Sequence, residues 1–151
     1  MHRYVILIAL GLILGCGKQE VGNQPNVTQE PDPHDIPITE ADVEMPASYA
    51  EAVPRIVAYR DAIRGAVESD TPAKAHRSLD ELDIVLSKLP SIAKESGVPA
   101  EQWETINTSA RDLRNLFDQV HAAIDEHRTP DYATVAEPIN QAIDQLEQVT
   151  Q

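Results

Sequence analysis

Two histidines sit where helical spacing gives each a carboxylate. His76 has Asp80 at i+4, and His121 has Asp125 at i+4. Residues four apart share one face of a helix, so each pair is a short imidazole–carboxylate unit. His76 follows the apolar residue Ala75 and His121 follows Val120, which places both on the flank of an apolar seam. If their helices pack antiparallel, the start of one faces the end of the other, where the second histidine lies. Imidazoles and carboxylates on facing helices are how helical bundles hold transition metals. Against this, no Glu-x-x-His repeat occurs, and Asp is not the usual bundle ligand. Boundary histidines with ordinary i,i+4 partners are the commoner product of such spacing. The expectation is therefore a chain without a cofactor, with metal at His76, Asp80, His121 and Asp125 as the alternative.

Other chemistry finds less support. Covalent haem attachment needs Cys-x-x-Cys-His, which is absent, and a Met/His axial pair would have to combine Met45 with His76 or His121. The sequence contains no Gly-rich phosphate loop, no Gly-x-Ser-x-Gly elbow and no His-Glu-x-x-His. Acidic runs such as Asp80, Glu81 and Asp83, or Asp125 and Glu126, read as solvated faces in a chain this acidic. His34, between Asp32 and Asp35, reads the same way. No catalytic residue is assigned, and the expectation is a protein that is not an enzyme. With 12 basic against 25 acidic side chains the formal charge is -13, which also argues against a nucleic-acid partner.

The single cysteine, Cys16, excludes an internal disulfide and a cysteine-based zinc site. Its position is informative. Met1, His2 and Arg3 form a short basic start, and Tyr4 to Leu14 form a nearly unbroken apolar run. That run is too short to span a bilayer, which takes about 20 residues, and has the length of a signal-peptide core. It ends in Ile13-Leu14-Gly15-Cys16, which resembles the lipobox of bacterial lipoproteins: an aliphatic residue, a tolerated residue, a small residue, then Cys. Leu14 is bulkier than the usual residue there. The resemblance implies that Cys16 receives a diacylglycerol group, that cleavage falls between Gly15 and Cys16, and that the new amine is a further acylation point. Two or more acyl chains hold a protein on a bilayer where one does not. Gly17, rather than Asp, follows the cysteine; by the enterobacterial sorting pattern this implies the outer membrane, facing the periplasm. Removal of residues 1–15 takes away Arg3 and no acid, so the mature charge is -14.

Residues 16–45 read as the lipidated cysteine and a disordered tether. The segment carries Pro25, Pro31, Pro33 and Pro37 and few large apolar side chains, too little to offset its ordering entropy.

Residues 46–151 read as helices that would position the histidines. In the third segment Trp103, Ile106, Ala110, Leu113, Phe117, Val120 and Ile124 alternate steps of three and four. The fourth repeats this with Tyr132, Val135, Ile139, Ala142, Leu146 and Val149. The second has Ala75, Leu79, Leu82, Val85, Leu86 and Leu89, and the first has Tyr49, Val53, Ile56, Ile63 and Val67. In the first, Arg60 falls on the seam and is expected to snorkel outward while Tyr59 covers its level. Thr71-Pro72 and Thr129-Pro130 look like N-caps followed by Pro at the first helical position, and Gly97 like a C-terminal cap. Trp103 is expected to plug one end of the core. Short connections favour antiparallel neighbours. The fold class is thus all-α, an up-down four-helix bundle. Pro90, inside the second segment, is expected to split that helix. A three-helix core with a loose first helix is the alternative. Residues 75–103, AHRSLDELDIVLSKLPSIAKESGVPAEQW, also resemble uncharacterised secreted helical-bundle proteins of planctomycete-type bacteria, a likeness that implies no activity. The expected role is a lipid-anchored, non-enzymatic binding or structural module that engages another envelope protein. A metal- or haem-binding bundle using His76 and His121 is the alternative.

Overall fold

Each apolar stripe becomes the buried face of one helix. The computed structural model describes residues 38–149; the signal segment, Cys16 and most of the tether lie outside them. The helices are α1 (Tyr49–Glu68), α2 (His76–Glu95), α3 (Trp103–Asp125) and α4 (Tyr132–Glu147). They pack antiparallel, each against its chain neighbour, and α4 closes the ring against α1. The seam residues named above are buried, with two exceptions: Trp103 is exposed and Val149 is half-buried. The three-helix alternative therefore fails. α1 contributes Tyr49, Ala52, Val53, Ile56, Ile63 and Val67 to the same core.

Pro90 does not split α2, which runs through it to Glu95. A proline in a helix interior costs about 3 kcal/mol. Leu89 and Ile92, both buried on either side of it, each offset about 1.5–3 kcal/mol, so continuing the stripe outweighs the lost hydrogen bond. Pro54 and Pro138 lie inside α1 and α4 in the same way.

The helix ends follow their expected caps in part. Thr71 is the N-cap and Pro72 the first residue of a 3-10 turn, Pro72–Ala75, that leads into α2. The Thr71 hydroxyl makes no cap bond and donates to the Ala66 carbonyl at 3.3 Å. Pro130 precedes α4, whose N-cap is Asp131 rather than Thr129. α1, α2 and α3 all close with the same double bond pattern. Asp70, Gly97 and His127 adopt positive φ and donate to Val67, Lys94 and Ile124, while the next residues donate to Ala66, Ala93 and Ala123. This is the Schellman motif, and it explains Gly97 directly.

Two long-range clips join α1 to its neighbours. The Tyr49 amide donates to Ser96 Oγ at 2.8 Å, and the Tyr49 hydroxyl donates to the Leu146 carbonyl at 2.9 Å. Arg60 does not snorkel to solvent but reaches sideways to Asn140 Oδ1 at 3.0 Å. Its level is covered by half-buried Tyr59, whose hydroxyl donates to Glu81. Trp103 is 36% exposed rather than a core plug. It is the first residue of α3, and its indole donates to the Val98 carbonyl while the Lys94 ammonium lies 5.6 Å from its ring centre. Residues 38–45, placed in the tether by composition, lie against the bundle: Val43 is buried, Glu40 pairs with Lys88 at 2.6 Å, and Arg55 donates to the Glu44 carbonyl.

Two tyrosines make opposite predictions. Tyr49→Phe removes a buried hydrogen bond and should cost about 1 kcal/mol. The Tyr132 hydroxyl is buried with no hydrogen-bond partner among the described residues, so Tyr132→Phe should be neutral or stabilise by up to about 1 kcal/mol. Burial pushes the phenol pKa of Tyr49 and Tyr132 up, and burial with the bond to Glu81 raises Tyr59 to about 12. A group whose folded pKa is raised holds its proton in the fold. Its stabilisation is complete below the unfolded value near 10 and is lost as pH rises toward the folded value. Thermal melts should therefore show stability falling above about pH 10, less steeply in Tyr49→Phe. A pH-independent midpoint through that range would contradict the burial of these rings.

Candidate metal centre

The antiparallel pairing of α2 and α3 sets the first residues of α2 beside the last turns of α3. His76 opens α2, between buried Ala75 and Leu79. His121 lies in the last turns of α3, between buried Val120 and Ile124. These apolar neighbours fix both helix faces, so the two imidazoles meet at the rim of the seam. Their ring centres are 5.3 Å apart with planes at 47°. Both side chains stay partly open to solvent, at 20% and 30% exposure.

The carboxylates cross over between helices. His76 Nε2 is 3.2 Å from Asp125 Oδ1, on the opposite helix. His121 Nε2 is 3.7 Å from that same oxygen and 3.9 Å from Asp80 Oδ1, again across the seam. The expected i,i+4 pair exists for His121 with Asp125, whereas His76 takes its carboxylate from α3. Three of the four residues singled out by spacing thus gather in one place, and Asp80 flanks them beside His121. One ligand atom from each of His76, His121 and Asp125 lies within 4.8 Å of the others. Two basic side chains close in sequence are engaged with other acids: Arg77 with Glu81 at 2.8 Å and Arg128 with Glu126 at 2.7 Å. They leave the negative charge of Asp80 and Asp125 facing the imidazoles.

The cluster fits an ion better than a haem. Asp125 Oδ1 approaches both Nε2 atoms, in the space a porphyrin between them would need. Met45 packs half-buried against the hydrophobic core.

A groove of about 340 Å³ continues from the cluster along the same seam. Asp80 and His121 line both features. Further along, Ile38, Phe117, Arg114 and Asp118 form its walls. Arg114 grips Asp83 through two bonds, at 2.6 and 3.1 Å, which raise its guanidinium pKa further. Sequence reading had no signal for this clamp, because Asp83 and Arg114 are related only through the register of two helices. It also missed Ile38, whose proline-rich surroundings suggested tether.

His34, Gly15 and Cys16 lie outside the described residues. No protein-family model, curated protein or solved structure matches the chain.

Proposed function

We propose that this chain is a lipoprotein of a bacterial cell envelope, a non-enzymatic binding module whose working surface is the α2–α3 seam. The anchor rests on Ile13-Leu14-Gly15-Cys16 at the end of an eleven-residue apolar run. The observation that carries the binding role is the gathering of His76, His121, Asp80 and Asp125 beside a groove on one seam. Protein recruitment through an apolar face has less support. Among the described residues, Trp103 is the one exposed large hydrophobic side chain, far short of the contiguous patch such docking uses. A ligand small enough for the rim of two helices suits the site better.

The mature charge of -14 repels an anionic lipid surface, so acyl chains on Cys16 would be the whole attachment. Cys16→Ala is expected to leave uncleaved precursor that incorporates no labelled fatty acid, while the wild-type protein is labelled and sediments with membranes. Mass spectrometry of the two proteins reads both the cleavage and the added lipid. A variant that is still lipidated and cleaved would overturn the anchor.

A further inference from the structure

We propose that His76, His121 and Asp125 form a binding site for a divalent transition-metal ion of the zinc class, with Asp80 nearby as a fourth ligand and second oxygen. The inference deepens the reading of the α2–α3 seam as a binding surface and does not depend on the lipid anchor.

The geometry comes first. A tetrahedral zinc ion with bonds of about 2.0–2.1 Å holds its ligand atoms roughly 3.3 Å apart. Two of the required edges already have about that length, 3.2 Å from His76 Nε2 to Asp125 Oδ1 and 3.7 Å from His121 Nε2 to the same oxygen. The third edge, between the two imidazoles, lies within 4.8 Å, and side-chain rotation would draw it in around an ion. Asp80 Oδ1 is 3.9 Å from His121 Nε2 but stands outside the three-residue group, so it would complete the set only by turning toward the ion.

The ligand types choose the ion. Calcium and magnesium take oxygen ligands, and two imidazoles in a set of four disfavour them. Imidazole with carboxylate suits zinc and its neighbours in the first row. Two carboxylates would balance the charge of a divalent ion, so the filled site is neutral.

The setting chooses the kind of site. The ligands come from two helices already locked by Ala75, Leu79, Val120 and Ile124, so the protein need not fold around the ion. Asp125 is 60% exposed, which leaves the ion open to solvent and to exchange. The site would therefore capture and release an ion rather than hold the fold together.

The test uses the protein as the cell produces it, extracted in detergent, purified without a histidine tag or chelator, and titrated with zinc and with magnesium. The wild type is expected to bind one zinc per chain and no magnesium. Losing an outer-shell partner of a metal weakens affinity by about 10–100-fold, so His76→Ala and Asp125→Asn, which remove ligands, should each weaken zinc by more than about 100-fold. Circular dichroism checks that each variant is folded; Asp125→Asn keeps the shape of an exposed side chain and decides the matter if His76→Ala does not fold. His34→Ala should bind as the wild type does. No zinc uptake by the wild type, undiminished binding in Asp125→Asn, or loss of binding in His34→Ala would each overturn the site. None of these results touches the anchor, which the Cys16→Ala labelling reads separately.

Discussion

Zinc at about 100 times its dissociation constant should raise the unfolding midpoint of the wild-type protein by about 10 °C. A ligand that binds the folded chain alone adds about 2.7 kcal/mol at that excess, and a domain of roughly 110 residues gains about 4 °C per kcal/mol. The ligands must be distant in sequence for this to hold, because the unfolded chain then has no ready-made site. His76 and His121 satisfy that, being brought together only by the pairing of α2 with α3. Asp125→Asn should melt without a zinc-dependent shift, and magnesium at the same concentration should move the wild type little. Chelator should return the midpoint to its starting value with helicity intact, since the core is built from side chains that do not touch the ion. Equal shifts in wild type and Asp125→Asn would mean that zinc acts on scattered surface carboxylates. Loss of helicity on chelation would mean a structural ion, contrary to an exchangeable one.

The readable parts of this molecule are those governed by local period. A step of three and four places a side chain on one face wherever a helix forms, so the buried stripes of all four helices were legible, as were His76 and His121 on the flank of their seams. What depended on register between helices was not. Spacing suggested that each histidine would pair with the carboxylate four residues on, yet Asp125 serves both rings and Asp80 faces the opposite helix. The Ser96 clip on the Tyr49 amide and the Arg114 clamp on Asp83 have no local signature at all. Pro90 misled because its penalty is visible in sequence and the compensating burial of Leu89 and Ile92 is not. At the helix ends Gly97 was readable because glycine is the usual left-handed residue. Asp70 and His127 hold the same conformation with side chains that do not advertise it. Ile38 and Val43 looked like tether by composition, and it is packing alone that draws them onto the bundle.

Ile56→Ala tests the feature that composition left most open, whether α1 belongs to the core. Ile56 is fully buried on α1, the helix that packs against both α2 and α4. Truncating a buried isoleucine to alanine costs about 2–5 kcal/mol, from lost apolar burial and from the cavity left behind. A domain of roughly 110 residues has on the order of 5–15 kcal/mol in all, so the loss is a large fraction of its stability. Leu113→Ala, at an equally buried position on α3, should cost a similar amount. If the four helices unfold as one cooperative unit, each substitution lowers the midpoint of the whole transition and leaves a single step. Urea melts followed by circular dichroism read both quantities. Asn115→Ala, on the exposed face of α3, should stay within about 0.5 kcal/mol of the wild type and serves as the reference. A loose first helix would behave differently: Ile56→Ala would then cost little while Leu113→Ala remained severe, and α1 would melt in a step of its own. Equal losses in one transition would place α1 in the same cooperative unit as α2 and α3, the helices that carry the histidines.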